Sequence, residues 1–257
     1  MPVKLKSEGI IYGSPLHFYA NSDYNSYMIS SEELTDRSKE GKRPEESKLL
    51  SVGIKEWWLL LIRPLENYLI EHKYHPNVLT VTTLIVSVVA GYFFHIGWIF
   101  MAGVLMLAGS TFDIFDGRVA RAQDLSSSHG AFFDSCLDRF SEAFIYMGLL
   151  SYFRDSYYLY VVFLIVVSTM MVSYTRARAE GLGVSCEVGI MQRTERVVYL
   201  GVLSVFNYFG NMLTAYIGFA GKDYLLKVSL AILLVFSIYT ALQRMIHVMG
   251  FLKQKEG

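Results

Sequence analysis

Residues 78–116 read VLTVTTLIVSVVAGYFFHIGWIFMAGVLMLAGSTFDIFD. Two apolar runs, 78–96 and 98–114, are parted by a single glycine, and the second ends among aspartates. A helix needs about 20 largely apolar residues to cross a bilayer, so each run reads as a membrane span. The second is slightly short, so its cytosolic half must face water or protein. Four more candidates follow at 131–152, 157–174, 197–219 and 225–250. No proline occurs after Pro76, as long uninterrupted helices require. The expected fold is therefore an all-α integral membrane protein with six transmembrane helices. An even number of spans puts both termini on one side.

Upstream of the spans the character changes twice. Residues 49–75 mix Trp57, Trp58, Leu60, Leu61, Leu65 and Leu69 with Lys55, Glu56, Arg63 and Glu66. The charges deny a span, while paired tryptophans suit the headgroup level, so an amphipathic interfacial helix is expected, with a kink or a new turn at Pro64. Residues 1–48 contain no apolar run and lack the pattern of a secretory signal or a transit peptide. They read as a polar cytosolic tail, leaving 76–257 as the six-helix membrane domain.

Orientation follows from basic residues near the span ends. Arg118 and Arg121 follow the second span, Arg176, Arg178, Arg193 and Arg196 lie around the loop after the fourth, and Lys253 and Lys255 follow the sixth. The positive-inside rule places these loops and both termini in the cytosol, in a multi-pass protein of the cell membrane. The 257 residues carry 23 basic and 23 acidic side chains, and this neutral balance excludes a global basic field for nucleic acid. Two cysteines, Cys136 and Cys186, cannot form a disulfide framework.

The chemistry gathers between the second and third spans. Asp113, Asp116, Gly117, Ala120 and Arg121 are spaced i, i+3, i+4, i+7, i+8 and share one helical face; Gly130, Asp134 and Asp138 share another. A short polar turn makes the two helices antiparallel neighbours, so the carboxylate pairs can confront each other. Four carboxylates at close range repel unless cations neutralise them, and an all-oxygen donor set suits Mg²⁺ or Mn²⁺ with substrate phosphates completing the shell. Gly117 and Ala120 leave the face bare for a bulky ligand, and the Arg121 guanidinium can fork onto a phosphate. A hairpin of structural ion pairs is the plainer alternative, but the aspartates outnumber the nearby arginines.

The run Asp113-x-x-Asp116-Gly117-x-x-Ala120-Arg121, then Gly130, Asp134 and Asp138 after gaps of eight, three and three residues, resembles the CDP-alcohol phosphotransferase signature at every defining position. The resemblance extends from Pro76 to the C-terminus. It implies a membrane enzyme, usually a homodimer, that moves a phosphatidyl group from a CDP-linked lipid such as CDP-diacylglycerol to a small polar alcohol, releasing CMP. By this resemblance Asp113, Asp116 and Asp134 bind two divalent metals, Mg²⁺ or Mn²⁺, and Asp138 completes the cluster and serves as general base. Gly117 and Arg121 would contact the cytidine diphosphate. Asn77 and Thr80, in Pro-Asn-x-x-Thr, match a secondary family feature that assigns them to the CDP-lipid, although helix entry and capping explain them equally well.

For the acceptor, residues 173–180 (SYTRARAE) resemble the end of the fourth span in phosphatidylinositol phosphate synthases. Arg176, Arg193 and Arg244 stand where those enzymes hold basic residues for the acceptor phosphate, which points to inositol phosphate. Arg176 replaces the lysine common there, keeping the charge and altering the geometry. Glycerol 3-phosphate, and with it phosphatidylglycerophosphate synthesis, is the alternative, since an arginine cluster serves either anion. Arg178 and Arg196 read equally as topology signals. A cation-binding transporter would also carry acidic residues, but transport sites tend toward the bilayer midplane.

Overall fold

Residues 52–218 and 222–256 are described by a computed structural model; the tail at 1–48 and the first three residues of the 49–75 segment lie outside them. Among the described residues there are seven helices and no strand: α1 (Val52–Glu71), α2 (Pro76–His95), α3 (Ile99–Ala122), α4 (Ser128–Tyr152), α5 (Tyr158–Glu180), α6 (Arg193–Tyr216) and α7 (Tyr224–Glu256). Local chemistry sets their starts. Pro76 opens α2, where its missing N–H costs nothing, and the His75 ring accepts the Asn77 N–H at 3.2 Å. Ser127 caps α4 by accepting the Gly130 N–H at 3.0 Å. Gly97, at φ +79°, makes the tight turn between α2 and α3.

Five helices, α2, α3, α5, α6 and α7, are long and apolar enough to cross a membrane. α4 has the length, but its N-terminal part and middle hold Asp134, Asp138, Arg139 and Glu142. Leu164 and Val167 of α5 and Val235 and Ile246 of α7 are exposed, an outward apolar surface that suits lipid and not water. Two expectations shift. α6 begins at Arg193, one turn before the apolar run, because helical hydrogen bonding extends into the polar segment. α1 continues as one helix through Pro64, which is exposed.

The core forms where α2, α3 and α4 cross. A Cβ on Gly148 would collide with the Gly91 carbonyl oxygen, so α4 and α2 touch backbone to backbone there. Gly103 also brings α3 close to α6, where a Cβ would lie 2.7 Å from the Gly201 carbonyl oxygen. Phe94, Leu149, Ile165, Leu200 and Leu230 fill the space between helices. α6 packs on α3 and α7, and α5 on α7. A second cluster, Ile62 and Leu69 of α1 with Leu79, Phe115 and Val119, seats α1 against the C-terminal half of α3. Arg118 donates to Glu66 at 2.6 Å across the same contact. The far end of the bundle holds a crevice of about 770 Å³ lined by Trp98, Tyr152, Asn207, Asn211 and Asp223. None of the site residues expected from the sequence reaches it.

Candidate functional site

The helical spacing of the aspartates becomes a cluster because the hairpin of α3 and α4 brings their faces together. Asp113, Asp116 and Asp134 each offer an oxygen, and these atoms lie within 4.8 Å of one another. Thr80, buried on α2, donates its hydroxyl to Asp116 Oδ2 at 2.9 Å. Asp134 Oδ1 is buried without a hydrogen-bond partner. Three carboxylates with oxygens at this separation, one of them carrying an unsatisfied oxygen, and no thiolate or imidazole among them, fit a divalent cation of the Mg²⁺ or Mn²⁺ kind.

Asp138, one turn further along α4, stands apart from that trio. Arg193 at the start of α6 reaches it with Nη2 at 2.7 Å. The same guanidinium donates from Nη1 to both oxygens of Asp113, at 2.9 and 3.0 Å. Arg193 therefore ties α3, α4 and α6 together at the carboxylates. A water-sized cavity of about 20 Å³ lies against this junction, lined by Thr83, Ser87, Asp113, Ser141, Glu142 and Arg193 among others. Gly117 lies under the guanidinium of Arg121, whose Nη1 would be 3.4 Å from a Cβ there. Arg121 is itself exposed and free of a carboxylate partner within 4.0 Å among the described residues.

The remaining expected residues are placed less simply. Asn77 contributes its backbone N–H to the His75 cap, and Thr80 holds a carboxylate. The three arginines expected to meet one acceptor phosphate have separate engagements: Arg193 on the aspartates, exposed Arg176 on Glu180 at 2.9 Å, and Arg244 on backbone carbonyls. Arg244 donates from Nε to Val188 at 2.8 Å and from Nη1 to Val172 at 2.7 Å, and is buried. Arg176 and Arg244 both act electrostatically on Cys186, although burial outweighs them and pushes that thiol upward. Sequence reasoning missed Glu142 and the true setting of Arg196, which form a fully buried ion pair at 2.7 Å. The available signal was that Glu142 continues the Gly130, Asp134, Asp138 series by one more turn.

Residues 73–243 match the CDP-alcohol phosphatidyltransferase family. The chain is 36% identical over 135 residues to an archaetidylinositol phosphate synthase of Pyrococcus horikoshii, covering 51% of this chain and 70% of the relative. Its fold is similar to crystal structures of the phosphatidylinositol phosphate synthase of Mycobacterium tuberculosis. With CDP-DAG bound, the TM-score is 0.62 at 26% identity, over 72% of this chain and 92% of that one. In complex with manganese and citrate it is 0.63 at 25%, over 72% and 88%.

Proposed function

This chain belongs to the CDP-alcohol phosphatidyltransferase family, and on that premise we infer that it transfers a phosphatidyl group from CDP-diacylglycerol to inositol phosphate, releasing CMP in phospholipid synthesis. The observation that carries the reading is the aspartate cluster of α3 and α4, with Arg121 on the same helical face of α3 as Asp113 and Asp116. Relatives named as archaetidylinositol phosphate and phosphatidylinositol phosphate synthases support inositol phosphate as the acceptor.

In this account Asp113, Asp116, Asp134 and Asp138 hold two divalent ions, Mg²⁺ or Mn²⁺. A divalent metal bound there neutralises the diphosphate and makes its phosphorus more electrophilic. Gly117 leaves room for the donor, and Arg121 grips its diphosphate with a planar fork. Thr80 orients Asp116 through its hydroxyl. Asp138 takes the proton of the acceptor hydroxyl as that oxygen bonds to the phosphatidyl phosphorus. The phosphorus–oxygen bond to CMP breaks, and CMP leaves with the electron pair. Arg176, Arg193 and Arg244 serve the acceptor phosphate, with Arg193 exchanging its aspartate contacts for the incoming anion.

With α2 to α7 read as six spans, this site and both termini lie at the cytosolic face of the cell membrane. α1 lies in the interface. The working unit is a homodimer. The polar site sits at the end of apolar helices because the donor's diphosphate is wet while its acyl chains remain in lipid. Purified protein supplied with CDP-diacylglycerol and a panel of alcohols tests the acceptor. CMP release with inositol phosphate is expected; release with glycerol 3-phosphate alone would keep the family and move the protein to phosphatidylglycerophosphate synthesis.

A further inference from the structure

α6 packs on α3 and α7, whereas α4 packs on α2 and α5. At the carboxylate end these two helices are joined instead by long side chains. One link is Arg193 to Asp138. The other is Arg196, which donates to Glu142 Oε1 from Nε at 2.9 Å and from Nη2 at 2.7 Å, and from Nη2 to Oε2 at 2.8 Å. Its remaining nitrogen, Nη1, donates to the Met191 carbonyl at 3.1 Å. The two links are stacked: Glu142 follows Asp138 by one turn of α4, and Arg196 follows Arg193 by one turn of α6.

Arg196 and Glu142 are 1% and 5% exposed, so both charges are withdrawn from solvent. Apolar side chains of similar volume often replace such a pair without loss of stability. Stability therefore gives a weak reason for the pair, while a set distance between two helices gives a strong one. The Met191 contact adds to this. It anchors the loop end from which Arg193 projects, and the Met191 N–H is fixed on the other side to Thr240 Oγ1 at 3.1 Å.

We propose that Glu142 and Arg196 are positioning residues whose ion pair spaces α4 from the start of α6 and thereby aims Arg193 at Asp113 and Asp138. The proposal rests on the reading of the aspartate cluster as the transfer site. It assigns Glu142 and Arg196 no contact with substrate: they act through Arg193.

The test is the paired replacement Glu142→Leu with Arg196→Met, which leaves neither charge orphaned. The full-length double variant should fold with a Tm within a few degrees of wild type. Its kcat/KM for the acceptor should fall on the order of ten-fold or more, as misplacement of a positioned group does. The KM for CDP-diacylglycerol should stay within about two-fold. On an Arg193→Ala background the same replacement should add less than about two-fold, because its effect passes through Arg193. Wild-type kinetics in the double variant, or a fully multiplicative loss on the Arg193→Ala background, would overturn the proposal. Glu142→Asp, which keeps both charges and shortens the link by one methylene, should repeat the pattern at smaller size should the double variant fail to fold, and its failure to do so counts against the proposal equally. Hydrogen exchange over residues 191–198 needs no turnover: faster exchange there in the variants is expected, and unchanged exchange would contradict the spacing role. Absence of transfer by the wild-type protein would instead sink the functional reading, while the exchange result still decides the role of the ion pair.

Discussion

Replacing Thr80 by valine removes one hydroxyl and keeps the side-chain volume. The lost hydrogen bond is the 2.9 Å contact to Asp116 Oδ2, made by a side chain only 5% exposed. A hydrogen bond to a charged acceptor contributes about 1.5–3 kcal/mol, which is on the order of ten- to a hundred-fold in an equilibrium constant. Loss of a group that orients a metal-binding carboxylate typically weakens metal affinity by about the same factor. Asp116 also faces Asp113 and Asp134 within 4.8 Å, so an unrestrained carboxylate will turn away from its neighbours. Thr80→Val should therefore bind Mn²⁺ about ten- to a hundred-fold more weakly, read from the free-Mn²⁺ electron paramagnetic resonance signal during titration. Saturating metal should restore most of kcat, and Thr80→Ser should restore the affinity itself. Unchanged Mn²⁺ affinity with a raised KM for CDP-diacylglycerol would refute the reasoning and return Thr80 to the donor contact that the Pro-Asn-x-x-Thr pattern suggests.

Gly148→Ala should destabilise the bundle by about 3 kcal/mol or more, because its Cβ meets the Gly91 backbone, which has no room to yield; a thermal shift of less than a degree or two in detergent would contradict the close crossing of α2 and α4. Burial alone would raise the Asp223 carboxyl, but hydrogen bonds from Tyr152, Asn211 and Asn207 and the charge of Lys227 hold it below the usual range. Its stabilising effect is thus fully present above the ordinary aspartate value of about 3.9 and lost as pH falls through the lowered folded value; Asp223→Asn should lower Tm at pH 7 and flatten the acid limb, and an unaltered acid limb would argue against it. Arg193→Ala, Arg244→Ala and Arg176→Ala should each raise the acceptor KM by about ten- to a hundred-fold with little change for CDP-diacylglycerol, and the reverse pattern in steady-state kinetics would place these arginines on the donor.

What could be read from the sequence divides along a physical line. Hydropathy locates α2, α3, α5, α6 and α7 because a membrane span depends on composition along one segment, and the shared face of Asp113 and Asp116 needs only helical periodicity. Contacts between segments distant in sequence carry no such local trace. The Thr80 to Asp116 bond joins residues 36 positions apart, and its hydroxyl could equally have capped a helix. Arg196 sits among cytosolic-side arginines whose charge already satisfied the topology rule, so its pairing with Glu142, 54 residues away, was hidden behind a sufficient explanation. Arg244, inside an apolar run, was legible as unusual, but not its bonds to the Val188 and Val172 carbonyls, since backbone partners leave no mark on side-chain patterns. Pro64 shows the reverse case: a strong local signal for a break yields where the helix has an exposed side to accommodate it.

The central claim is that the aspartates of α3 and α4 run a metal-dependent phosphatidyl transfer. CMP release from CDP-diacylglycerol in the presence of inositol phosphate, measured side by side for the wild-type protein, the wild type with EDTA, and Asp138→Asn, tests it most directly. Turnover is expected in the first, none in the second until Mg²⁺ or Mn²⁺ is returned, and a loss of about 10²–10⁴-fold or more in the third. Full activity after rigorous chelation, or near-normal turnover by Asp138→Asn, would contradict the account.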